Sequence, residues 1–385
     1  MKIFVLGAGK MGCETTRDLL DREVSPDVTQ VTVGDSKAEA SQNLMKSLKD
    51  NRLETEQIDV REPELLARKI RGFDSVINTT WYDFNLQVME ASLKAKVHYT
   101  DLGGLYHMTL KQLKMHEDFV KAGVTAVIGG GSSPGTTNIL AAYGADMLDR
   151  VEEIKIRLGL KSLERSEFLF PYSARTILDE CTMRPAVFRS GRTVFVEPFS
   201  EPEKLVFPAP VGQVEDAYHC IHSEVATLPL TYKEKGIENV SFKQSIGGNL
   251  TEPIKVMIKI GLTSSEPFEV NGIKVKPIDV LYRCVDNLPT PTGRFARGRT
   301  VTVIGEQNGE KVEVVSQALS APDDPPPRHN ATAVAASIIG QMLAHGEIKA
   351  RGVLAPEAAV DPKRHLEELA NRGIKFDVII KRRAK

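Results

Sequence analysis

The first twelve residues constrain the fold most, because they join a short apolar run to a glycine-rich turn. Residues 3–6 predict a buried parallel strand, and residues 13–20 continue as a helix. Between them Gly7, Gly9 and Gly12 keep the G-x-G-x-x-G spacing. In such a turn the first glycine permits the sharp bend, the second lets a diphosphate approach the backbone, and the third lets the helix lie close to the sheet. The amides at the helix start favour an anion there.

A second apolar strand, residues 28–33, leads to Asp35 at the position expected for an acid that binds the adenosine ribose. A carboxylate there accepts hydrogen bonds from the ribose hydroxyls and repels a 2′-phosphate. No arginine follows it, although Lys37 is compatible with some NADP binding. The sequence therefore predicts NAD as the cofactor, with NADP less favoured. A glycine turn without a ligand is the weaker alternative.

Polar residues after other predicted strands extend this cofactor site. The strand at residues 73–78 ends in Asn78-Thr79-Thr80, and ligands bind at the carboxyl ends of strands in open α/β sheets. A strand predicted at residues 57–60 places Asp59 and Val60 where adenine commonly lies in such folds, and a surface turn explains these two residues equally well. A second glycine-rich turn, residues 129–138, precedes a helix. The predicted cofactor-binding residues are Gly7, Gly9, Lys10, Met11, Gly12, Asp35, Asp59, Val60, Asn78, Thr79, Thr80 and Pro134.

Strands and helices alternate up to about residue 128, which predicts an α/β fold with a doubly wound, Rossmann-type parallel sheet. From residue 151 the pattern predicts a second α+β domain with a largely antiparallel sheet, including a strand at 256–260 and a hairpin turn at Asn308-Gly309. A proline-rich connector at 321–327 precedes an alanine-rich helix at 331–344. The predicted division is a dinucleotide-binding domain at 1–128, a substrate and dimerisation domain at 129–328, and C-terminal helices at 329–385 that pack back on the nucleotide domain.

Composition excludes several functions for this chain of 385 residues. A net charge of −1 gives no electrostatic case for a nucleic-acid partner, and no apolar stretch reaches the length of a membrane span. The four cysteines form no C-x-x-C pair, which favours a reducing cytoplasm. We expect a soluble, cytoplasmic enzyme that acts on a small molecule.

The densest group of candidate catalytic residues lies at residues 218–227, which contain two histidines, a cysteine and a glutamate. A zinc site is disfavoured because the spacing matches no known zinc motif. Acid–base chemistry by His222 or Glu224 competes with a structural explanation of the same residues. Arg175 could clamp a substrate carboxylate or be an ordinary surface residue, and Asp101 could hold an ammonium group or cap a turn. The predicted catalytic residues are Asp101, His222 and Glu224, the predicted substrate-binding residues are Tyr82, Arg175, His219 and Thr227, and no metal is expected.

Four stretches together resemble the saccharopine dehydrogenase-like family over nearly the whole chain. They are residues 5–12 (VLGAGKMG), 101–104 (DLGG), 133–140 (SPGTTNIL) and 351–357 (RGVLAPE). Within that family the motifs look most like those of the NAD-dependent L-lysine 6-dehydrogenases. The resemblance implies a homodimer or higher homo-oligomer, assisted by the sheet of the second domain. Residues 130–133 (GGSS) depart from the more apolar segment expected before Pro-Gly in lysine dehydrogenases. Residues 222–224 (HSE) with 227–229 (TLP) look closer to other branches, including saccharopine and carboxynorspermidine dehydrogenases.

The resemblance implies oxidative deamination of a basic amino acid, with the ε-carbon of L-lysine as the leading candidate and a semialdehyde or cyclic imine, ammonia and NADH as products. The first alternative is a dehydrogenase of the saccharopine or carboxynorspermidine type, which acts on a secondary amine. The second, from another class, is an NAD-binding regulatory protein without turnover. Because only a neutral amine can drive hydride loss, oxidation should be fastest at alkaline pH.

Overall fold

The structure is a computed structural model that describes residues 1–162, 170–214, 216–247, 249–286, 288, 295–321 and 329–382. The strands in chain order are β1 (Lys2–Leu6), β2 (Gln30–Asp35), β3 (Leu53–Gln57), β4 (Ser75–Asn78), β5 (His98–Asp101), β6 (Thr125–Val127), β7 (Arg150–Ser162), β8 (Ala186–Arg189), β9 (Arg192–Phe195), β10 (Tyr218–His219), β11 (Asn239–Gln244), β12 (Phe268–Val270), β13 (Ile273–Val275), β14 (Phe295–Gln307), β15 (Glu310–Ser320), β16 (Gly352–Leu354) and β17 (Asp377–Arg382). The helices are α1 (Lys10–Leu20), α2 (Ala38–Leu48), α3 (Pro63–Ile70), α4 (Asn85–Ala95), α5 (Leu105–Leu113), α6 (His116–Ala122), α7 (Thr137–Ala145), α8 (Ala174–Thr182), α9 (Glu224–Thr231), α10 (Thr251–Lys259), α11 (Pro277–Val285), α12 (Ala331–Ala344), α13 (Pro356–Ala359) and α14 (Pro362–Asn371). Apart from Ala321, the connector predicted at 321–327 lies outside the described residues.

The described residues divide into two compact units. The first unit contains Met1–Asp149, Ala226–Glu234 and the described part of Pro325–Phe376. The second unit contains the described parts of Arg150–Val225, Lys235–Asp324 and Asp377–Lys385. The chain therefore contributes a short internal segment, most of α9, to the first unit, and returns its last strand to the second.

The first unit is built on a seven-stranded parallel sheet in the order β16-β6-β5-β4-β1-β2-β3. This confirms the predicted Rossmann-type sheet. The strand predicted at 57–60 is wrong, because the strand occupies Leu53–Gln57 and residues 58–60 follow its carboxyl end. The sequence LETEQ carries no apolar run, so its strand character comes from backbone pairing with β2. The seventh strand, β16, adds to β6 from far along the chain and was not predicted.

Helix α12 has the predicted bounds and is almost entirely buried within the first unit. Its Gly340 lets the helix approach the sheet closely: a Cβ there would lie 2.5 Å from Cδ1 of Ile77. The hydroxyl of Ser75 donates to the Gly340 carbonyl oxygen at 2.9 Å. The absence of a side chain at position 340 thus permits close helix–sheet packing.

The second unit contains a mixed sheet in the order β17-β15-β14-β7-β11-β8-β9. Strands β7 and β11 are parallel and the other pairs along this order are antiparallel. The predicted hairpin between β14 and β15 is confirmed. The strand predicted at 256–260 is wrong, since most of these residues lie in helix α10. Short apolar runs do not distinguish a strand from a helix, and Pro253 in the first turn is compatible with a helix start.

Candidate functional site

The glycine turn of the first unit joins β1 to α1. Gly7 has φ +94°, and its N–H donates to the carbonyl oxygen of Gly34 at 2.7 Å. At Gly12 a Cβ would lie 1.8 Å from the Gly7 carbonyl oxygen, so no side chain fits there. At Gly9 nothing lies within 4 Å of a Cβ position. The turn therefore has tight packing at its first and third glycines and open space at the second, as approach by a diphosphate requires.

The start of α1 supplies the donors of this turn. The first hydrogen bond of the helix runs from the N–H of Cys13 to the carbonyl of Gly9 at 2.9 Å. The N–H groups of Lys10, Met11 and Gly12 precede it and have no partner within an α-helix. The residue at the N-cap is Gly9, so no side chain caps these N–H groups. These residues fit a dinucleotide diphosphate, whose charge such a helix start stabilises.

Asp35 ends β2 beside the glycine turn. Its Oδ2 accepts from the N–H of Ala8 at 2.8 Å, and its Oδ1 accepts from the N–H of Lys37 at 2.8 Å. These bonds fix the orientation of the carboxylate at the edge of the turn. The position fits the predicted ribose contact.

At the end of β4, Asn78 organises the predicted nicotinamide-side residues. Its Nδ2 donates to Oδ1 of Asn85 at 2.9 Å, and its Oδ1 accepts from the hydroxyl of Thr80 at 2.7 Å. The hydroxyl of Thr79 donates to the Leu6 carbonyl at 2.7 Å and so ties β4 to β1 next to the glycine turn. Asn78 is buried, whereas Thr79 and Thr80 are partly exposed.

The predicted adenine-side residues follow β3. Asp59 pairs with Arg61 at 2.5 Å, and the hydrogen bond from this guanidinium lowers the pKa of the carboxyl group. Val60 is buried in the core. The carboxylate of Asp59 is thus already held by a neighbouring side chain, and its contact with adenine stays a prediction.

Asp101, at the end of β5, holds the two glycine-containing turns that follow β5 and β6. Its Oδ1 accepts from the N–H groups of Gly103 and Gly129, each at 2.8 Å. Its Oδ2 accepts from the hydroxyl of Tyr99 at 2.9 Å and from Nε2 of Gln112 at 2.6 Å. Burial raises the pKa of Asp101 against the effect of these donors. This is the environment of a structural clamp, and the catalytic role of Asp101 stays a prediction.

Pro134 lies in the second glycine-rich turn and packs against Gly103, where a Cβ would lie 2.6 Å from its Cγ. Sequence reasoning placed it at the cofactor. In the structure Pro134 is buried, and its ring lies against Gly103 and Gly129. Its contact with the cofactor stays a prediction.

Thr227 lies in a buried polar network of the first unit. Nδ2 of Asn138 donates to Oγ1 of Thr227 at 3.3 Å and to Oε2 of Glu357 at 2.9 Å. The hydroxyl of Thr231 donates to Oε1 of Glu357 at 3.3 Å. Burial raises the pKa of Glu357. Thr227 thus belongs to a different compact unit from the neighbouring residues His222 and Glu224.

The second unit buries an acid–histidine–acid cluster. Nδ1 of His222 contacts Oε2 of Glu224, and its Nε2 lies 3.9 Å from Oε1 of Glu180. All three side chains are buried. Burial disfavours the charged ring, but the carboxylates of Glu224 and Glu180 outweigh this effect and raise the pKa of His222. The cluster therefore favours the protonated ring more than an exposed histidine would.

Glu180 was not among the predicted residues. Its Oε2 accepts from the hydroxyl of Tyr172 at 2.5 Å and from Nε2 of Gln244 at 2.8 Å. Burial raises its pKa. The signal was present in the sequence, because Glu180 lies between Ile177, Leu178 and Cys181 on the buried side of α8. A carboxylate at an inward helix position needs partners, and the histidine supplies one.

The other predicted substrate-binding residues have protein partners. The guanidinium of Arg175 lies over the ring of Tyr282, with its Cζ 4.9 Å from the ring centroid, and Nε lies 4.0 Å from Asp179. His219 contacts the Phe242 carbonyl and Glu201, each at 3.3 Å, and burial together with Lys243 lowers its pKa to about 4. Neutral His219 is therefore a poor proton donor at neutral pH.

Tyr82 is partly buried in a short 3₁₀ segment, Tyr82–Phe84, before α4. Its substrate contact stays a prediction. Within the described residues no group of three or more histidine, cysteine or acidic side chains is arranged to hold a metal ion. No helix in the described part of the chain has both the length and the apolar composition needed to cross a membrane.

The parallel sheet, the glycine turn and the acid after β2 define the class of dinucleotide-binding proteins. The family model of the saccharopine dehydrogenase NADP binding domain matches residues 3–127, and that of the saccharopine dehydrogenase C-terminal domain matches residues 131–374. The chain therefore belongs to the saccharopine dehydrogenase family, as its motifs indicated.

Two relatives and one solved structure are similar to this chain over most of its length. The carboxynorspermidine synthase of Vibrio cholerae serotype O1 is 27% identical over 328 residues, which is 79% of this chain and 77% of that protein. The carboxyaminopropylagmatine dehydrogenase of Synechocystis sp. is 20% identical over 406 residues and 98% of each protein. The saccharopine dehydrogenase (L-Glu forming) of Saccharomyces cerevisiae has a TM-score of 0.73 at 16% identity, covering 100% of both chains, and so shares the fold.

These relatives bear on the predicted substrate. Their names contain carboxylated amines rather than free lysine. The comparisons therefore favour the secondary-amine alternative over the leading prediction, lysine. They support a nicotinamide-dinucleotide cofactor and do not separate NAD from NADP.

Proposed function

We propose that this protein is an NAD(P)-dependent dehydrogenase of a secondary amine that carries a carboxylate, of the carboxynorspermidine or saccharopine type. The similarity to two relatives with such substrates supports the proposal. So does the glycine turn, where the open position at Gly9 leaves space for a diphosphate. NAD is the preferred cofactor in this proposal because Asp35 repels a 2′-phosphate.

The proposed reaction breaks one C–H bond beside the amine nitrogen. A nicotinamide cofactor held at the glycine turn would supply the hydride acceptor. As the C–H bond breaks, the nitrogen loses a proton and an imine forms between carbon and nitrogen. Water then adds to the imine, and the C–N bond breaks to give a carbonyl compound and a primary amine. In the reverse direction the carbonyl compound and the amine condense, lose water and are reduced.

The residues of this chain have separate tasks in the proposal. The amides of Lys10, Met11 and Gly12 bind the diphosphate, and Asp35 binds the ribose. His222 takes up or returns the proton of the nitrogen, because Glu224 and Glu180 raise its pKa and so make it a stronger base. Glu224 is a positioning residue that acts through the histidine ring.

The proposal is tested with purified protein and a matched set of substrates. Carboxynorspermidine, saccharopine and L-lysine are each incubated with NAD and with NADP, and formation of the reduced cofactor is followed by its absorbance. Mass spectrometry of the products identifies the bond that is broken. The reverse reaction is followed with NADH or NADPH.

Turnover of a carboxylated secondary amine, with lysine slower by at least about tenfold, is the expected result. Faster turnover of lysine with release of ammonia would restore the lysine prediction. Tight binding of NAD without turnover of any amine would favour the regulatory alternative. The Gly9→Ala variant is the control, because it should lose the reaction without losing its fold.

A further inference from the structure

In β14 the odd-numbered residues from 295 to 303 point to one face of the second unit's sheet, because side chains alternate along a strand. Val301 and Val303 are buried on this face. Gly298, of the opposite parity, packs on the ring of Phe207 on the other face. Arg299 therefore projects from the same face as the buried valines, although it is charged.

The strand register connects Arg299 to Gln244, a residue that contacts the acid–histidine–acid cluster. Arg299 pairs with Leu158 of β7, and Leu158 pairs with Gln244 of β11. Gln244 holds Glu180 through its Nε2. Two strand spacings, about 10 Å, therefore separate the backbones of Arg299 and Gln244 on one face.

The adjacent row carries the other half of the cluster. Val301 pairs with Ile156, and Ile156 pairs with Phe242. The ring of His222 is stacked on the ring of Phe242. Ile156 is fully buried, whereas Leu158 in the row of Arg299 is partly exposed. A ligand can therefore reach this face of the sheet beside Leu158 and Arg299.

Arg299 is partly exposed, but one nitrogen of its guanidinium is buried without a partner in the described part of the chain. Its Nε is buried and has no hydrogen-bond partner among the described residues. No carboxylate of the described residues lies within ion-pair distance of it; Glu224, whose charge acts on Arg299, contacts His222 instead. Burial lowers the pKa of Arg299 to about 10, so the side chain is still charged at neutral pH. A charge in this position is costly unless a ligand supplies an anion.

We propose that Arg299 binds a carboxylate of the amine substrate and so selects carboxylated amines. The planar guanidinium can donate two parallel hydrogen bonds to one carboxylate, which gives both affinity and orientation. The inference rests on the proposed function, since it assigns the substrate's carboxylate to a residue of this chain. Arg175, which the sequence predicts for this role, already lies over Tyr282 and near Asp179.

The strand offers a matched control. Arg297 lies two residues earlier on the same face and is exposed, with its Cζ 5.8 Å from the ring centroid of Phe295. Arg299→Gln and Arg297→Gln therefore remove the same charge from neighbouring positions. Arg299→Lys keeps the charge but loses the two-pronged geometry. The thermal midpoint of each variant reports whether it is folded.

The experiment compares carboxynorspermidine with norspermidine, which lacks the carboxyl group. Binding of each to the wild-type protein and the variants is measured by calorimetry, and KM and kcat are measured for carboxynorspermidine. Arg299→Gln should weaken binding of carboxynorspermidine by at least about 30-fold and raise its KM. Binding of norspermidine and of NAD should change by less than about twofold, and Arg297→Gln should affect neither amine. Arg299→Lys should lie between the wild type and Arg299→Gln.

Equal weakening of both amines by Arg299→Gln, or no change for either, would overturn the assignment. So would a wild-type protein that binds norspermidine as tightly as carboxynorspermidine. If Arg299→Gln does not fold, the same comparison is made with Arg299→Lys. Binding is measured without turnover, so a protein that binds carboxynorspermidine through Arg299 but does not oxidise it would refute the proposed function and support the subsite.

Discussion

The ring of His222 lies flat on the ring of Phe242, with centroids 3.8 Å apart and an angle of 5° between the planes. Phe242 thus fixes the plane of the imidazole, and Glu224 at Nδ1 fixes its direction. Nε2 faces Glu180 at 3.9 Å, beyond hydrogen-bond distance. A ring held in this way can exchange a proton without reorienting.

The pH dependence of oxidation should report this ring. His222 must be neutral to accept a proton, and its pKa is raised from 6.5. The acid limb of kcat/KM should therefore lie above pH 6.5, with oxidation increasing as pH rises. Glu224→Gln removes the main group that raises this pKa, so the limb should move to lower pH. His222→Asn should remove the histidine's ionisation from the profile, leaving that of the substrate amine, and lower kcat by about 10²-fold or more.

The measurement is a pH profile of kcat/KM in the wild type and both variants, with folding checked by circular dichroism. A limb that stays in place in Glu224→Gln would assign it to another group. Unchanged kcat in His222→Asn would remove the histidine from the reaction.

The glycine turn allows cofactor binding to be separated from folding. A methyl group at Gly9 meets no atom within 4 Å, and φ there is −74°, so Gly9→Ala should fold with an unchanged thermal midpoint. The methyl group occupies the space that a diphosphate needs, so the Kd of NAD should rise at least about tenfold. In Gly12→Ala the new Cβ would lie 1.8 Å from the Gly7 carbonyl oxygen, so the turn itself must move.

Calorimetry of NAD binding and thermal unfolding together distinguish these two effects. Gly12→Ala should lose both binding and stability, whereas Gly9→Ala should lose binding alone. Wild-type affinity for NAD in Gly9→Ala would place the diphosphate elsewhere.

Much of this turn could be read from sequence because its requirements are local. The spacing of Gly7, Gly9 and Gly12 and the distance to Asp35 are set by one strand–turn–helix–strand unit. Strands β16 and β17 could not be found in the same way. Each is short, and its partner, β6 or β15, comes from a distant part of the chain. Residues 377–382, which the sequence predicts among the C-terminal helices, form a strand of the second unit.

The candidate site likewise contains residues that the sequence predicts and residues that only the tertiary structure shows. The sequence predicts His222 and Glu224 because only one residue separates them, but Glu180 needs the tertiary contact that brings α8 to them. Arg299 carries a period-two signal, since it shares its parity with Phe295, Val301 and Val303. Only the pairing of β14 with β7 and of β7 with β11 shows what it faces.

Cofactor preference should depend on Asp35. Asp35→Ser removes the carboxylate that accepts from the N–H groups of Ala8 and Lys37 and that repels a 2′-phosphate. The ratio of kcat/KM for NAD to that for NADP should fall by about tenfold or more. Glu39→Ser, which changes an exposed acid in α2, is the control and should leave the ratio unchanged. A ratio that Asp35→Ser does not alter would separate this carboxylate from the ribose.

Stability of the first unit should depend on a buried ion pair between α1 and the end of α14. Nε of Arg372 lies 2.8 Å from Oδ1 of Asp18, and the two side chains are 1% and 0% exposed. Arg372→Met leaves the carboxylate buried without its partner, so the free energy of unfolding should fall by about 3–5 kcal/mol. Urea denaturation followed by circular dichroism measures this change.

Helix α14 supplies the control for this pair. Arg364 pairs with Glu368 in the same helix, but its side chain is 45% exposed, so Arg364→Met should cost less than about 1 kcal/mol. Asp18→Asn combined with Arg372→Met should recover part of the loss, because no buried charge is then left uncompensated. Equal losses in Arg364→Met and Arg372→Met, or a double variant less stable than Arg372→Met alone, would show that the cost comes from lost packing and not from the unpaired carboxylate.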